Sequence, residues 1–153
     1  MKKFFFLALL ATATLFTACN NDDDDNTPSE FITATIDGAA FEADIIFGEA
    51  DELGGETIIF MAGTELSSST IIGLNIPTSV TTGTTFDIDA TDFALTFTDV
   101  DENSFFTVGQ ITLSELNTDA KVIAGTFNFT ATDSMDPMNV REITGGEFRV
   151  VYD

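Results

Sequence analysis

From Phe31 onward the chain alternates apolar and polar residues with a period of two, and this periodicity constrains its fold more than any other feature. The alternation is clearest in residues 41–47, 93–98, 127–132 and 148–153. Successive side chains of a β-strand point to opposite sides of a sheet, so each segment presents one apolar face and one polar face. No window of ten residues carries a helical stripe of apolar side chains. The sequence therefore predicts an all-β chain.

The strands are predicted to be short, antiparallel and joined by tight turns. In residues 41–47, the side chains of Phe41, Ala43, Ile45 and Phe47 are expected to share the apolar face. Further strands are predicted at Phe31–Ile36 and at residues 57–62, 70–76 and 105–113. Turns are predicted at residues 37–38, 54–55, 99–103, 116–119 and 133–138, and Asp37-Gly38 is a strong signal for a two-residue hairpin.

About seven to nine such strands, with no room for crossover helices, predict a single antiparallel β-sandwich or a small β-barrel. The periodicity is compatible with both architectures, so both remain open at this point. The sixteen phenylalanines supply a core for either one.

The N-terminal segment has the features of a bacterial export signal. Two lysines precede an apolar run in residues 4–15, and Thr17 and Ala18 stand before Cys19, the only cysteine of the chain. The run is too short for a membrane-spanning helix, which needs about 20 apolar residues. Residues 16–19 resemble the bacterial lipobox. This resemblance implies that residues 1–18 are removed and that Cys19 becomes an acylated N-terminus, anchored by two or three acyl chains.

An acidic segment follows the cysteine. Residues 20–29 contain no apolar side chain and include four consecutive aspartates, Asp22, Asp23, Asp24 and Asp25. We expect residues 19–30 to be a flexible acidic tether and residues 31–153 to form the all-β domain. The aspartates resemble the lipoprotein export signal of Bacteroidota, which implies transport to the cell surface.

The charge of the chain limits its partners. The formal net charge is −21, and removal of residues 1–18 leaves three basic residues against 26 acidic ones, a formal charge of −23. Such a charge repels phosphate backbones and anionic lipid headgroups. We therefore expect no nucleic-acid partner and a bilayer contact made only through the acyl chains on Cys19.

The composition also argues against an enzyme. The chain has no histidine and no second cysteine, which excludes Ser-His-Asp and Cys-His mechanisms and Cys/His zinc sites. Lys121 could activate a serine but lies at a predicted turn, and no glycine-rich phosphate loop is present. With no Trp and one Tyr, the chain lacks the aromatic side chains that line sugar clefts. We therefore expect no catalytic residues and no required cofactor.

Two loops hold candidate ligand or modification sites. Asp99, Asp101 and Asn103 place oxygen atoms at alternate positions of a predicted loop, as in the opening of an acidic calcium loop. The loop lacks the glycine, the final glutamate and the helices of an EF-hand. Asp133-Ser134-Met135 resembles the acceptor for O-glycosylation in Bacteroidota, which would place a glycan on Ser134.

Both ends of the domain resemble one protein family. The segments that carry the resemblance are TATIDGAAF at residues 33–41, ITLS at 111–114, VIAGTFNFTA at 122–131 and ITGGEFRVVY at 143–152. They are similar to small Bacteroidota lipoproteins grouped under the name DUF6252. The resemblance implies an all-β lipoprotein domain and supplies no catalytic residues.

These expectations combine into one functional hypothesis with two alternatives. The chain is expected to be an outer-membrane lipoprotein, displayed at the cell surface or facing the periplasm, whose domain is a non-catalytic binding or assembly module. One alternative is a β-barrel that holds a small apolar ligand. The other is a calcium-stabilised module that binds a carbohydrate or a protein. The sequence does not identify the partner.

Overall fold

The computed structural model describes residues 29–89, 94–99 and 105–153. Within these ranges it contains ten β-strands and no helix, arranged as two antiparallel sheets that do not close into a barrel. The predicted all-β sandwich is therefore confirmed and the barrel alternative is wrong. The strands are β1 (Phe31–Ile36), β2 (Ala39–Glu42), β3 (Ile45–Leu53), β4 (Glu56–Glu65), β5 (Thr70–Pro77), β6 (Thr85–Ile88), β7 (Leu95–Thr98), β8 (Phe105–Asn117), β9 (Val122–Asp133) and β10 (Val140–Val151).

The two sheets differ in the number and order of their strands. The six-stranded sheet has the order β2-β1-β10-β9-β8-β6, and the four-stranded sheet has the order β3-β4-β5-β7. Buried apolar side chains from both sheets form one core between them. In the part of the chain that the structure describes, no helix is long and apolar enough to cross a membrane.

The β1–β2 hairpin confirms the turn predicted at Asp37-Gly38. Both residues have positive φ angles, 50° for Asp37 and 86° for Gly38, as a type I′ turn requires. Glycine adopts such an angle without steric cost, so the dipeptide fixes the register of the hairpin. The turn predicted at residues 116–119 begins later in the structure, because β8 continues to Asn117.

The prediction that Ile45 and Phe47 share the buried face of Phe41 is wrong. Phe41 is buried, whereas Ile45 and Phe47 are 54% and 53% exposed. The physical reason is a change of sheet. The N–H of Ala43 donates to the carbonyl of Ile32 in β1, and the N–H of the next residue donates to the carbonyl of Thr64 in β4. This crossing between sheets shifts the alternation, so that β3 turns its other side chains toward the core.

Phenylalanine rings connect the two sheets inside the core. The ring of Phe97 in β7 lies 5.0 Å from that of Phe105 and 6.4 Å from that of Phe129, measured between centroids. Phe127 continues the series, at 5.9 Å from Phe129 and 6.3 Å from Phe148. Edge-on and tilted contacts of this kind contribute beyond simple area burial. The phenylalanines that alternate in the sequence therefore form much of the core.

The C-terminus also joins the sheets. The N–H of Asp153 donates to the carbonyl of Gly48, and the N–H of Ala50 donates to the carbonyl of Asp153, at 3.3 and 3.2 Å. This is the hydrogen-bond pattern of parallel strands. The end of the chain therefore runs alongside β3 in the same direction, and it covers the middle of an edge that would otherwise present unpaired backbone groups.

Candidate binding surface

The outer face of the four-stranded sheet is apolar. A sandwich normally turns polar side chains outward, but most outward positions of β3, β4 and β5 hold apolar residues. We define the apolar face by the following outward residues: Ile45, Phe47, Leu53, Ile58, Phe60, Ala62, Ile71 and Pro77.

The strand register places these side chains side by side. Phe47 lies opposite Ala62 in the β3–β4 pair. On the other side of β4, Ile58 lies opposite Pro77 of β5, whereas Thr64 separates Ile45 from Ile71 at the far end of the face. Directly opposed residues in an antiparallel pair have Cβ atoms about 4.5–5.5 Å apart, so these side chains are in contact distance of each other. The apolar face is thus continuous across three strands.

Carboxylates line the same face along β3 and the start of β4. Each of the next three rows joins one acidic and one apolar residue across the β3–β4 pair. These pairs are Glu49–Phe60, Asp51–Ile58 and Glu56–Leu53. The end of the apolar face nearer Leu53 therefore has a carboxylate opposite an apolar side chain in each of these three rows.

A cleft of about 400 Å³ opens at this end of the face. Its described lining is mainly apolar and comes from the end of β3, from β4, β5 and β6, and from the segments next to them. The residues are Leu53, Ile58, Phe60, Asn75, Pro77, Val80, Phe86, Asp87, Ile88 and Ala94. Gln110 donates a hydrogen bond of 2.7 Å from Nε2 to Oδ1 of Asp87, which fixes this carboxylate at the rim.

The outer face of the six-stranded sheet has a different character. Its central positions on β9 and β10 hold mainly threonine, asparagine and glutamate. The exposed apolar residues there are Phe106, Val108 and Val140, which lie at one end beside Thr132 and Thr130. The two outer faces therefore differ. The cleft that adjoins the four-stranded sheet has a mainly apolar lining, whereas the depressions beside Val108 have a more polar one.

Most of the residues singled out from the sequence lie outside the described ranges. These are Cys19, the aspartates Asp22 to Asp25, and the loop residues Asp101 and Asn103. Asp99 and Ser134 lie inside them. Across the described ranges, no three acidic side chains come together as a metal site would require.

Asp99 lies at the end of β7 and is buried. Its carboxylate is 3.6 Å from a guanidinium nitrogen of Arg141 in β10. The same guanidinium donates to Oδ2 of Asp37 at 3.2 Å, and Asp37 Oδ1 accepts a hydrogen bond from the N–H of Glu142. Arg141 thus joins the first hairpin to the end of β7, and the charge of Asp99 has an arginine partner.

Ser134 is exposed in the β9–β10 loop, as a glycosylation site would need. The preceding Asp133 has a structural role in this loop. Its Oδ1 accepts a 2.8 Å hydrogen bond from the N–H of Met135, and its Oδ2 accepts one of 3.0 Å from Nδ2 of Asn139. The Met135 N–H is the main cause that lowers the pKa of Asp133 below its ordinary value of 3.8. Loop geometry alone therefore explains the aspartate of this tripeptide.

Sequence reasoning missed the apolar face, although a signal was present. Residues 58–61 read Ile-Ile-Phe-Met, and residues 71–72 read Ile-Ile. A strand with one solvent-exposed face should alternate apolar and polar residues. A continuous apolar run instead indicates a strand whose two faces are both apolar. The two runs are staggered in the β4–β5 pair, where residues 58–61 lie opposite 74–77 and residues 71–72 lie opposite 63–64. Each run places apolar side chains on both faces of the sheet.

The fold and this surface define an all-β sandwich with one apolar outer face. The family described as Domain of unknown function (DUF6252) matches residues 26–151. The chain belongs to this family, as the resemblance of its two ends predicts. Comparisons with curated proteins and with solved structures found no match.

Proposed function

We propose that the protein is a lipoprotein held at the outer membrane by acylated Cys19, and that its β-sandwich is a non-catalytic binding module displayed at the cell surface. The anchor is supported by the sequence alone, through the basic start, the short apolar run and the lipobox-like residues 16–19. Asp22 to Asp25 support surface display.

The apolar face is the observation that carries the binding role. A contiguous exposed apolar patch of a few hundred Å² on a monomer is often a site that contacts another molecule. The absence of histidine from the sequence and the exposed position of Lys121 in the β8–β9 turn support a role without catalysis.

The anchor is tested with the full-length chain expressed in a bacterium, beside Cys19→Ala. We expect the unsubstituted protein in the membrane fraction, with an N-terminal peptide that begins at Cys19 and has the added mass of two or three acyl chains. Cys19→Ala should lack this mass. A soluble protein that begins at another residue would refute the anchor.

Surface display is tested by adding protease to intact cells. We expect the domain to be degraded, and we expect protection when Asp22 to Asp25 are replaced by asparagine. A protein that resists protease until the cells are lysed would disprove display but leave the anchor standing.

The cleft favours a second candidate function, the holding of a small apolar ligand. Its volume of about 400 Å³ lies in the range of small-molecule sites. Nile red, a neutral apolar dye, is a suitable probe because the acidic protein does not repel it. We expect its fluorescence to rise with the protein and to fall with Leu53→Ser. Leu66→Ser, at a similarly exposed leucine away from the cleft, is the matched control. Equal fluorescence with both variants would dismiss this candidate.

A further inference from the structure

We propose that the apolar face docks an extended basic segment of a partner protein, in which apolar side chains alternate with lysine or arginine. The proposal rests on the binding role described above and names the chemistry of the partner. Three properties of the apolar face support a polypeptide as the occupant: the spacing of its charges, their sign and the size of the face.

The spacing of charges on the face matches such a segment. In three successive rows, a carboxylate of β3 or β4 lies opposite an apolar side chain, as in the pairs Glu49–Phe60 and Asp51–Ile58. Cross-strand neighbours of this kind are about 5 Å apart. An extended chain that lies on edge between β3 and β4 points its basic side chains toward one strand and its apolar side chains toward the other, and each kind recurs about every 6.6 Å, which is the spacing of the rows. The rows Glu49–Phe60 and Asp51–Ile58, with both acids on β3, can therefore each contact one apolar side chain and one cation.

The charge of the protein selects a cationic partner. Of the three basic residues that follow Cys19, Arg141 is paired with Asp37 and Asp99, and Arg149 is paired with Glu115 at 2.6 Å. All three described ion pairs of these arginines lie away from the apolar face. A second copy of this chain would bring like charges together, and an anionic membrane surface would be repelled. A basic polypeptide would be attracted by the negative charge and would also bury its apolar side chains against the apolar face.

The size of the face suits a polypeptide better than a small molecule. Strand spacing of about 4.8 Å and a rise of about 3.3 Å per residue give a surface of about 14 by 26 Å, or roughly 400 Å². The cleft occupies only one end of it. Stable protein interfaces bury about 800 Å² on each partner, so a face of this size fits a weak, reversible contact.

The experiment measures binding of synthetic peptides by fluorescence anisotropy. The probe is a labelled nine-residue peptide of alternating leucine and lysine, which extends over about 30 Å. Two comparison peptides replace lysine with glutamate or leucine with serine. The full-length chain is used as the cell processes it, in phosphatidylcholine nanodiscs if it is acylated and in buffer if it is not. Failure of the anchor therefore leaves the docking measurement intact.

Two double variants separate the apolar and the charged contributions. Ile45→Thr with Phe47→Thr removes exposed apolar groups, and we expect it to weaken binding about tenfold. Glu49→Gln with Asp51→Asn removes two charges, and we expect a loss of about threefold to fivefold and a weaker dependence on salt. These exposed positions tolerate the changes without loss of folding, which a thermal melt verifies.

Matched controls come from the outer face of the six-stranded sheet. Val108→Thr replaces an apolar residue that is 53% exposed, like Phe47, and Glu142→Gln with Glu147→Gln removes two exposed carboxylates. Both should bind the leucine–lysine peptide as the unsubstituted chain does. Losses equal to those of the apolar-face variants would overturn the proposal, because the binding would then be a general effect of charge or apolar content.

Three further results would also overturn it. Equal binding of the leucine–glutamate peptide would show that charge has no part. Equally tight binding of octylamine would indicate a small cationic amphiphile as the occupant. A dimer in analytical ultracentrifugation that Ile45→Thr with Phe47→Thr makes monomeric would indicate a second copy of the chain.

Discussion

Gly146 of β10 lies directly opposite Phe127 of β9, and the aromatic ring of Phe127 occupies the space where a Cβ of residue 146 would lie. The pairing register between β9 and β10 shifts just before this point, between Ile143 and Gly146. The missing side chain leaves room for this ring beside the backbone of β10. It also lets Phe127 reach the rings of Phe129 and Phe148.

Gly146→Ala is therefore expected to destabilise the fold by about 1–3 kcal/mol, because an added methyl group must displace a buried ring in a packed core. Chemical unfolding in urea measures the change. Phe127→Leu, which removes part of the ring, should be less harmful in the Gly146→Ala background than in the unsubstituted chain. Simple addition of the two losses would contradict a direct contact between these residues.

The hydrogen bonds accepted by Asp133 should make the stability of the folded chain depend on pH in the acidic range. Hydrogen bonds from Met135 N–H, Asn139 Nδ2 and Asp136 N–H favour the ionised carboxylate, and they hold its pKa below the ordinary 3.8. The resulting stabilisation is present above pH 3.8 and is lost as the pH falls through the lowered pKa.

Asp133→Asn should therefore lower the thermal midpoint at pH 7, and the difference from the unsubstituted chain should shrink below pH 3.8. Thermal melts by circular dichroism over this pH range measure both effects. Asp119→Asn, at an exposed turn residue, is the control and should leave the profile unchanged. A difference that persists unchanged at the lowest pH would contradict a role for the charge.

Tyr152 offers a direct measurement at alkaline pH, because it is the only tyrosine and the chain has no tryptophan. Burial raises the pKa of its hydroxyl above 10.0. Its contribution to stability is therefore complete below pH 10 and is lost as the pH rises through the raised pKa. Phenolate absorbance should appear at higher pH in the folded chain than in urea. Coincident titration curves would refute the burial of this side chain.

Because Asp99 is already paired with Arg141, we expect calcium not to stabilise the unsubstituted chain. A calcium ion at Asp99 would compete with the guanidinium that already neutralises this carboxylate. We expect the same thermal midpoint in millimolar calcium and in chelator. Arg141→Gln frees Asp99 from this partner, and only this variant should gain stability from calcium. A calcium-dependent rise in the unsubstituted chain would instead support the site predicted at Asp99, Asp101 and Asn103.

The alternation of side chains was enough to predict the all-β class and most of the strands. It worked where a strand stays in one sheet, as in β9, where Phe127 and Phe129 are both buried. It failed at Ala43 and Asp44, where the backbone leaves one sheet for the other. A crossing of this kind depends on pairing with Ile32 and Thr64, which are distant in the sequence, and no local pattern encodes it.

The binding surface was harder to predict than the fold. Ile45 and Phe47 looked like core residues because an exposed strand face is usually polar. Only the pairing of β3, β4 and β5 shows that their outward side chains adjoin one another. Glu49 and Asp51 do not indicate a binding site in the sequence alone. They become candidate binding residues because each lies opposite an apolar residue of β4. Sites built across strands depend on register, which the sequence does not display.

The parallel pairing of Asp153 with β3 sets how much room a partner would have. Phe31 at the start of β1 lies opposite Arg149, four residues before Asp153, and Ile32 accepts a hydrogen bond from the N–H of Ala43, just before β3 begins at Ile45. The tether therefore joins the domain beside the start of β3, and the cleft at Leu53 lies at the other end of that strand. If Cys19 is acylated, residues 19–30 span at most about 40 Å. A partner at the cleft then binds at the end of β3 away from the tether, so shortening the tether should restrict access to Ile45 and Phe47 before it restricts access to the cleft.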